Sequence, residues 1–90
     1  MVFKSVVVKN KLGLHAKPAA RFVELANRFK SDIYIKKETA TVSAKSIMGV
    51  MVMGVSKGTE ILIEANGSDE KEALQALVDL VESGLSDDEE

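Results

Sequence analysis

Hydrophobic and polar positions alternate, cluster and repeat along the chain in a way that predicts seven elements. Residues 2–8 are rich in valine with Phe3 among them, a strand signal, with Val6 and Val8 on one side. Asn10, Lys11 and Gly13 mark a loop. Ala19, Phe22, Val23, Ala26 and Phe29 then recur at helical spacing, and Pro18 suits a first turn, so a helix is expected over 16–29. Within it Glu24 and Arg28 are spaced to pair, and Arg28 and Lys30 would complement the end of the dipole. Ile33–Lys36 alternates as a half-buried strand, with Thr41–Ser43 as its hairpin partner.

Ser46–Gly54 is apolar throughout and reads either as a strand or as a short helix with Ser46 as N-cap and Gly54 as its stop. A short helix that is apolar all round cannot bury every side, so part of it should face outward. Lys57-Gly58 is a turn, Glu60–Glu64 a strand, and Asn66-Gly67 another turn. Asp69 with Glu72 three residues later makes a capping box for a last helix, whose stripe is Ala73, Leu74, Leu77, Leu80 and Val81 and whose stop is Gly84. The order is βαββαβα. Strands with one apolar face and helices with one apolar stripe predict an α+β open-faced β-sandwich: a four-stranded, mostly antiparallel sheet with helices on one face. Residues 1–85 form the domain, and 86–90 are expected to be an acidic disordered tail with nothing to bury.

Composition narrows the function. The chain has 90 residues, enough for one thin core, and only 4% aromatics, so aliphatic side chains must build it. A net charge of −2 argues against a general nucleic-acid binder, and scarce aromatics against a sheet that stacks RNA bases. The charge is unevenly spread. Lys4, Lys9, Lys11, Lys17, Arg21, Arg28, Lys30, Lys36, Lys37 and Lys45 lie in the first half, and the acids crowd between Glu60 and Glu90, so the face near the first helix suits an acidic partner. There is no cysteine, hence no disulfide framework or thiolate metal site, and no stretch of signal-peptide or membrane-spanning character. A cytoplasmic protein without membrane attachment is expected.

The only histidine, His15, stands just before the first long helix in Gly13-Leu14-His15-Ala16-Lys17-Pro18-Ala19. The first N–H groups of a helix lack internal partners and carry the positive end of its dipole, so the spot favours anions such as phosphate. Ala16, Lys17 and Pro18 are the candidate phosphate-binding segment, with Lys17 adding a full positive charge. A neutral imidazole is a competent nucleophile. Nucleophile, amides and cation thus converge within a few residues, as a transient phosphohistidine requires. From the residues alone, a surface histidine that merely caps a helix accounts for the pattern equally well. A metal site is disfavoured by the absence of a second histidine or any cysteine. There is no P-loop and no Gly-rich nucleotide fingerprint, so a donor and an acceptor enzyme would have to supply and collect the phosphoryl group, with no cofactor on this chain.

The run from Gly13 to Val23 resembles the active-site signature of HPr, the phosphocarrier family of the bacterial phosphotransferase system. Ser43-Ala44-Lys45-Ser46-Ile47-Met48-Gly49-Val50-Met51 resembles the family's regulatory serine segment. Length and element order agree, and the resemblance covers all but the acidic tail. It implies that Enzyme I, charged from phosphoenolpyruvate, phosphorylates His15 at Nδ1, and that the carrier passes the group to an enzyme IIA domain. It also implies that HPr kinase/phosphorylase modifies Ser46, with a transcription regulator as a further partner. Ala20, Ile47, Met48 and Met51 are the expected partner-binding residues, and a monomer is the expected state. The family usually has arginine where this chain has Lys17; arginine grips phosphate bidentately, whereas lysine acts as a point charge. Two branches stay open. Asn10-Lys11-Leu12-Gly13 and the acidic tail point to nitrogen-related carriers, Ser46-Ile47-Met48-Gly49 to the serine-regulated sugar system, including a corepressor acting mainly by protein binding.

Overall fold

The structure, a computed structural model, describes residues 1–10, 13, 14 and 16–85. The elements are β1 (Val2–Val7), α1 (Ala16–Ala26), β2 (Asp32–Lys37), β3 (Ala40–Ser43), α2 (Ile47–Val52), β4 (Glu60–Asn66) and α3 (Glu70–Glu82). The four strands form one sheet in the order β1-β4-β2-β3. Every pairing is antiparallel, with Val6 opposite Ile61, Ile63 opposite Ile35, and Ile35 opposite Val42. The expected open-faced sandwich is therefore the observed fold. Within Ser46–Gly54, residues Ile47–Val52 are helical, and Ser46 caps the start of that helix, which decides between the strand and helix readings.

The core lies between the sheet and the helices. Val6, Val8, Ile33, Ile35, Ile61, Ile63 and Ala65 point to it from the strands, and Phe22, Ala26, Leu77, Val78 and Val81 meet them from α1 and α3. Phe22 is the largest fully buried side chain, and nearly everything around it is aliphatic. The opposite sheet face carries Phe3, Val7 and Tyr34 to solvent.

Two expected features differ. The first helix stops at Ala26, short of 29. Asn27 N–H still donates to Val23, but Arg28 and Phe29 donate to carbonyls only three residues back, so the helix tightens into a turn. Arg28 and Lys30 therefore lie beyond the last helical turn. The cause sits across the fold. Asp69, expected to cap its own helix with Glu72, makes no side-chain bond to α3. Its carboxylate instead accepts from Lys30 N–H (2.9 Å), Ser31 N–H (3.0 Å) and Ser31 Oγ (2.5 Å), gathering the donors of the α1–β2 turn. These bonds hold the Asp69 carboxyl down at about 2, well below the ordinary 3.8. Glu70 takes the capping part by accepting from Gly67 N–H at 3.1 Å, which lowers its pKa as well. At the far end Gly84 adopts φ +82° and Leu85 N–H reaches back to Leu80 carbonyl, tucking Leu85 fully into the core.

Candidate functional site

The segment before α1 is pinned from several directions. Val8 and Gly58 exchange strand-like bonds with the 54–59 loop: Val8 N–H donates to Thr59 (2.9 Å) and Gly58 N–H to Val8 (2.7 Å). Leu14 N–H donates to Val55 carbonyl at 3.0 Å, and the Leu14 side chain is buried. Gly13 has φ +61°, and a Cβ there would stand 2.3 Å from Val55 O, so this crossing admits only glycine. Asn10 is buried beneath it, its Nδ2 donating 2.8 Å to Gly13 carbonyl while Gly13 N–H donates back to Asn10 carbonyl. Asn10 reads from sequence as a loop marker only; its task is to clamp the bend that ends at Leu14. His15 lies outside the described residues, as do Lys11, Leu12 and the tail from 86 to 90.

Immediately after position 15 the chain enters α1. Ala16 and Lys17 are exposed, and as the first helical residues their N–H groups have no carbonyl one turn earlier within the helix. Pro18 is buried and has no N–H, so it contributes the helical start and no anion contact. Ala20 is exposed one turn beyond Ala16, and Arg21 one turn beyond Lys17. The outer face of α1 thus carries two cations in succession. In the sequence Arg21 reads only as one of many cations; its spacing from Lys17 is what puts it on the same face.

Ser46 caps α2. Its backbone is extended (φ −108°, ψ 114°), its Oγ accepts from Gly49 N–H at 3.1 Å, and its carbonyl accepts from Val50 N–H at 3.0 Å. Val50 alone of α2 is fully buried. Ile47, Met48 and Met51 are exposed, Met48 at 73%, and Val52 is more exposed still at 79%. Val52 is not among the partner-binding residues expected from sequence, yet it lies one turn beyond Met48 and so on the same face. Together they form an apolar patch on a helix that packs against α1.

The two helices run antiparallel. Lys45, just before Ser46, meets the end of α1 through Asn27 and Phe29, whereas Val55, just after α2, meets Leu14 at the start of α1. Ser46 and the opening of α1 are therefore separated by the length of α1, which for 11 residues is about 16 Å. Among the described residues no cluster of three or more His, Cys, Asp or Glu is placed to hold a metal ion. Among them, too, no helix is long and apolar enough to cross a membrane.

Fold and site together define a small open-faced α+β sandwich whose first helix opens on an anion-favouring turn beside an exposed apolar helix. Residues 2–83 match the family model described as the PTS HPr component phosphorylation site. The chain belongs to the HPr family, the phosphocarriers of the phosphotransferase system. It is 51% identical over 82 residues to the HPr-like protein Crh of Bacillus subtilis, covering 91% of this chain and 96% of that one. It is 44% identical over 81 residues to the phosphocarrier protein HPr of Neisseria meningitidis, covering 90% and 91%. Among solved structures, HPr of Thermoanaerobacter tengcongensis superposes with a TM-score of 0.95 at 48% identity, covering 99% of this chain and 100% of that one.

Proposed function

We propose that the chain accepts a phosphoryl group from Enzyme I on His15 Nδ1 and passes it to an enzyme IIA domain. The observation that carries this reading is the opening of α1: the exposed residues Ala16 and Lys17, whose amides begin the helix, follow directly on His15 in the chain, with Arg21 one turn further on, after a segment clamped by Leu14 and Gly13. Amides and cations at a helix start stabilise the charge of a phosphoryl group without further reorganisation. The apolar patch of Ile47, Met48, Met51 and Val52, with Ala20, is the surface on which both enzymes would dock in turn. Direct passage between histidines needs no metal on the carrier. Incubation with Enzyme I and phosphoenolpyruvate should add one acid-labile phosphate, absent from His15→Ala; a variant labelled at the wild-type rate defeats the assignment.

A second role rests on Ser46. The N-cap geometry tolerates a phosphate, because the helix dipole favours negative charge there. The modification would come from HPr kinase/phosphorylase, and its charge beside the apolar patch would redirect docking, toward a transcription regulator among others. The similarity to Crh, described for Bacillus subtilis as a catabolite-repression HPr, favours this corepressor role alongside the relay. A cytoplasmic monomer is the working form we propose, since each partner must reach the same face. Relatives from Thermoanaerobacter tengcongensis and Bacillus subtilis are described as dimers, so light scattering across a concentration series is the deciding measurement.

A further inference from the structure

The stretch that delivers Ser46 to its N-cap is held by contacts that neither phosphoryl transfer nor docking uses. Asn27, just past the end of α1, donates through Nδ2 to Val23 carbonyl (2.9 Å) and across to Lys45 carbonyl (3.3 Å). Lys45 returns the link: its Nζ donates to Phe29 carbonyl at 2.7 Å, and its N–H to Ser43 Oγ at 3.1 Å. Ser46 N–H in turn donates to Ser43 carbonyl at 3.2 Å. Lys45 is only partly exposed, and its ammonium is spent on a backbone carbonyl at the frayed end of α1. From sequence it counts merely as one more surface cation.

We propose that Asn27 and Lys45 are positioning residues for the modification of Ser46. They fasten the residue before the serine to the end of α1 and so fix where the hydroxyl stands. This rests on the reading of Ser46 as a phosphorylation site. In the transfer from ATP, the Oγ–P bond forms while the bond from the γ-phosphorus to the ADP oxygen breaks, and the hydroxyl proton leaves to a base on the kinase. Gly49 N–H occupies one lone pair of Oγ and fixes the χ1 rotamer, so the other lone pair and the proton remain free to meet phosphorus and base. That alignment holds only if the backbone of residues 45 and 46 stays still. Alternative frames for it are few, because α2 contains only six residues. A nucleophile held about an ångström out of place costs up to on the order of a hundredfold in rate without weakening substrate binding.

The test is steady-state phosphorylation of the full chain by HPr kinase/phosphorylase with magnesium ATP, comparing wild type, Asn27→Ala, Lys45→Met and Lys45→Arg below their melting temperatures. Lys45→Met keeps the stem and removes the donor; Lys45→Arg restores a donor. The first two variants should lose about tenfold in kcat with KM for the carrier changed less than about twofold, and Lys45→Arg should stay near wild type. Labelling of His15 by Enzyme I and phosphoenolpyruvate should be unchanged in all of them. In the kinase-free proteins, amide exchange at Gly49 should speed up in Lys45→Met while the sheet keeps its protection; should Asn27→Ala not fold, Lys45→Met carries the test by itself. Wild-type kcat in Lys45→Met overturns the positioning role and leaves Ser46 as the modified residue. Absence of label on Ser46 in the wild type overturns both readings.

Discussion

Replacing Gly13 by alanine tests whether the bend before His15 is held by close backbone contact. Alanine at φ +61° costs about 1–2 kcal/mol in the left-handed region. The new Cβ would also stand 2.3 Å from Val55 O and 2.7 Å from Ser56 Cα, both backbone atoms that no side-chain rotation can move aside. Reaching ordinary contact requires the two loops to part by about 1 Å, a strain of roughly 1–3 kcal/mol. The same movement pulls Val55 carbonyl from Leu14 N–H, another ~1 kcal/mol. The sum, about 3–6 kcal/mol, is a large share of the roughly 5–14 kcal/mol expected for a domain of this size. Gly58→Ala is the matched control: its φ is +89°, but no atom lies within 4 Å of the added carbon, so only the backbone cost applies. Urea denaturation of both variants, with equal m-values, isolates the contact contribution as about 2–4 kcal/mol. Gly13→Ala should also accept phosphate from Enzyme I more slowly, since the bond from Leu14 N–H to Val55 anchors the residue directly before the proposed nucleophile His15. Equal midpoints for the two variants would refute the close crossing and with it the clamp.

Three further outcomes are expected. The Asp69 carboxyl is held at about 2 in the folded chain against 3.8 ordinarily, so its contribution is complete only above about pH 5 and drains away as the pH falls from there through about 2. Asp69→Asn should therefore flatten the loss of stability between pH 4 and 2 in urea titrations, leaving only the shallower slope due to Glu70, whose pKa is lowered in the same sense; an unchanged slope would assign the acid sensitivity elsewhere. Lys17→Met should slow phosphoryl acceptance at least about tenfold and Lys17→Arg should match or exceed wild type, because the fork geometry suits phosphate better than a point charge; rapid-quench labelling decides it, and a wild-type rate in Lys17→Met removes the cation from the site. Ser46→Asp should slow labelling by Enzyme I yet leave the hydrolysis half-life of phosphorylated His15 unchanged, since about 16 Å of α1 exceeds a screening length of about 8 Å in physiological salt; a shifted half-life would show direct coupling.

The sheet and both long helices were legible because their periods are local. Ile61, Ile63, Ile33 and Ile35 alternate in sequence and are buried in the structure. Long-range bonds were not legible. Asp69 sits where a helix cap is expected, and nothing nearby in sequence announces that the Lys30–Ser31 turn, some forty positions away in the chain, offers its carboxylate three competing donors, one from Lys30 and two from Ser31. That latch also shortened α1, whose apolar spacing continues to Phe29. On the candidate site, Lys17, Ser46 and the apolar patch followed from spacing and cap chemistry. Asn10 and Lys45 did not, because a buried amide and a surface lysine look like any others until their carbonyl partners, Gly13 and Phe29, are known.

The counter-running arrangement of α1 and α2 bears on how other proteins would read this carrier. A partner with a small footprint at the mouth of α1 would sample one of the two proposed chemical marks and be blind to the other. A partner that lies lengthwise over both helices would touch both termini of the pair and, with the proposed marks on His15 and Ser46, would discriminate four states of a single molecule by shape and charge together. Information capacity here is set by footprint length, so a regulator needs a longer contact surface than a phosphoryl donor.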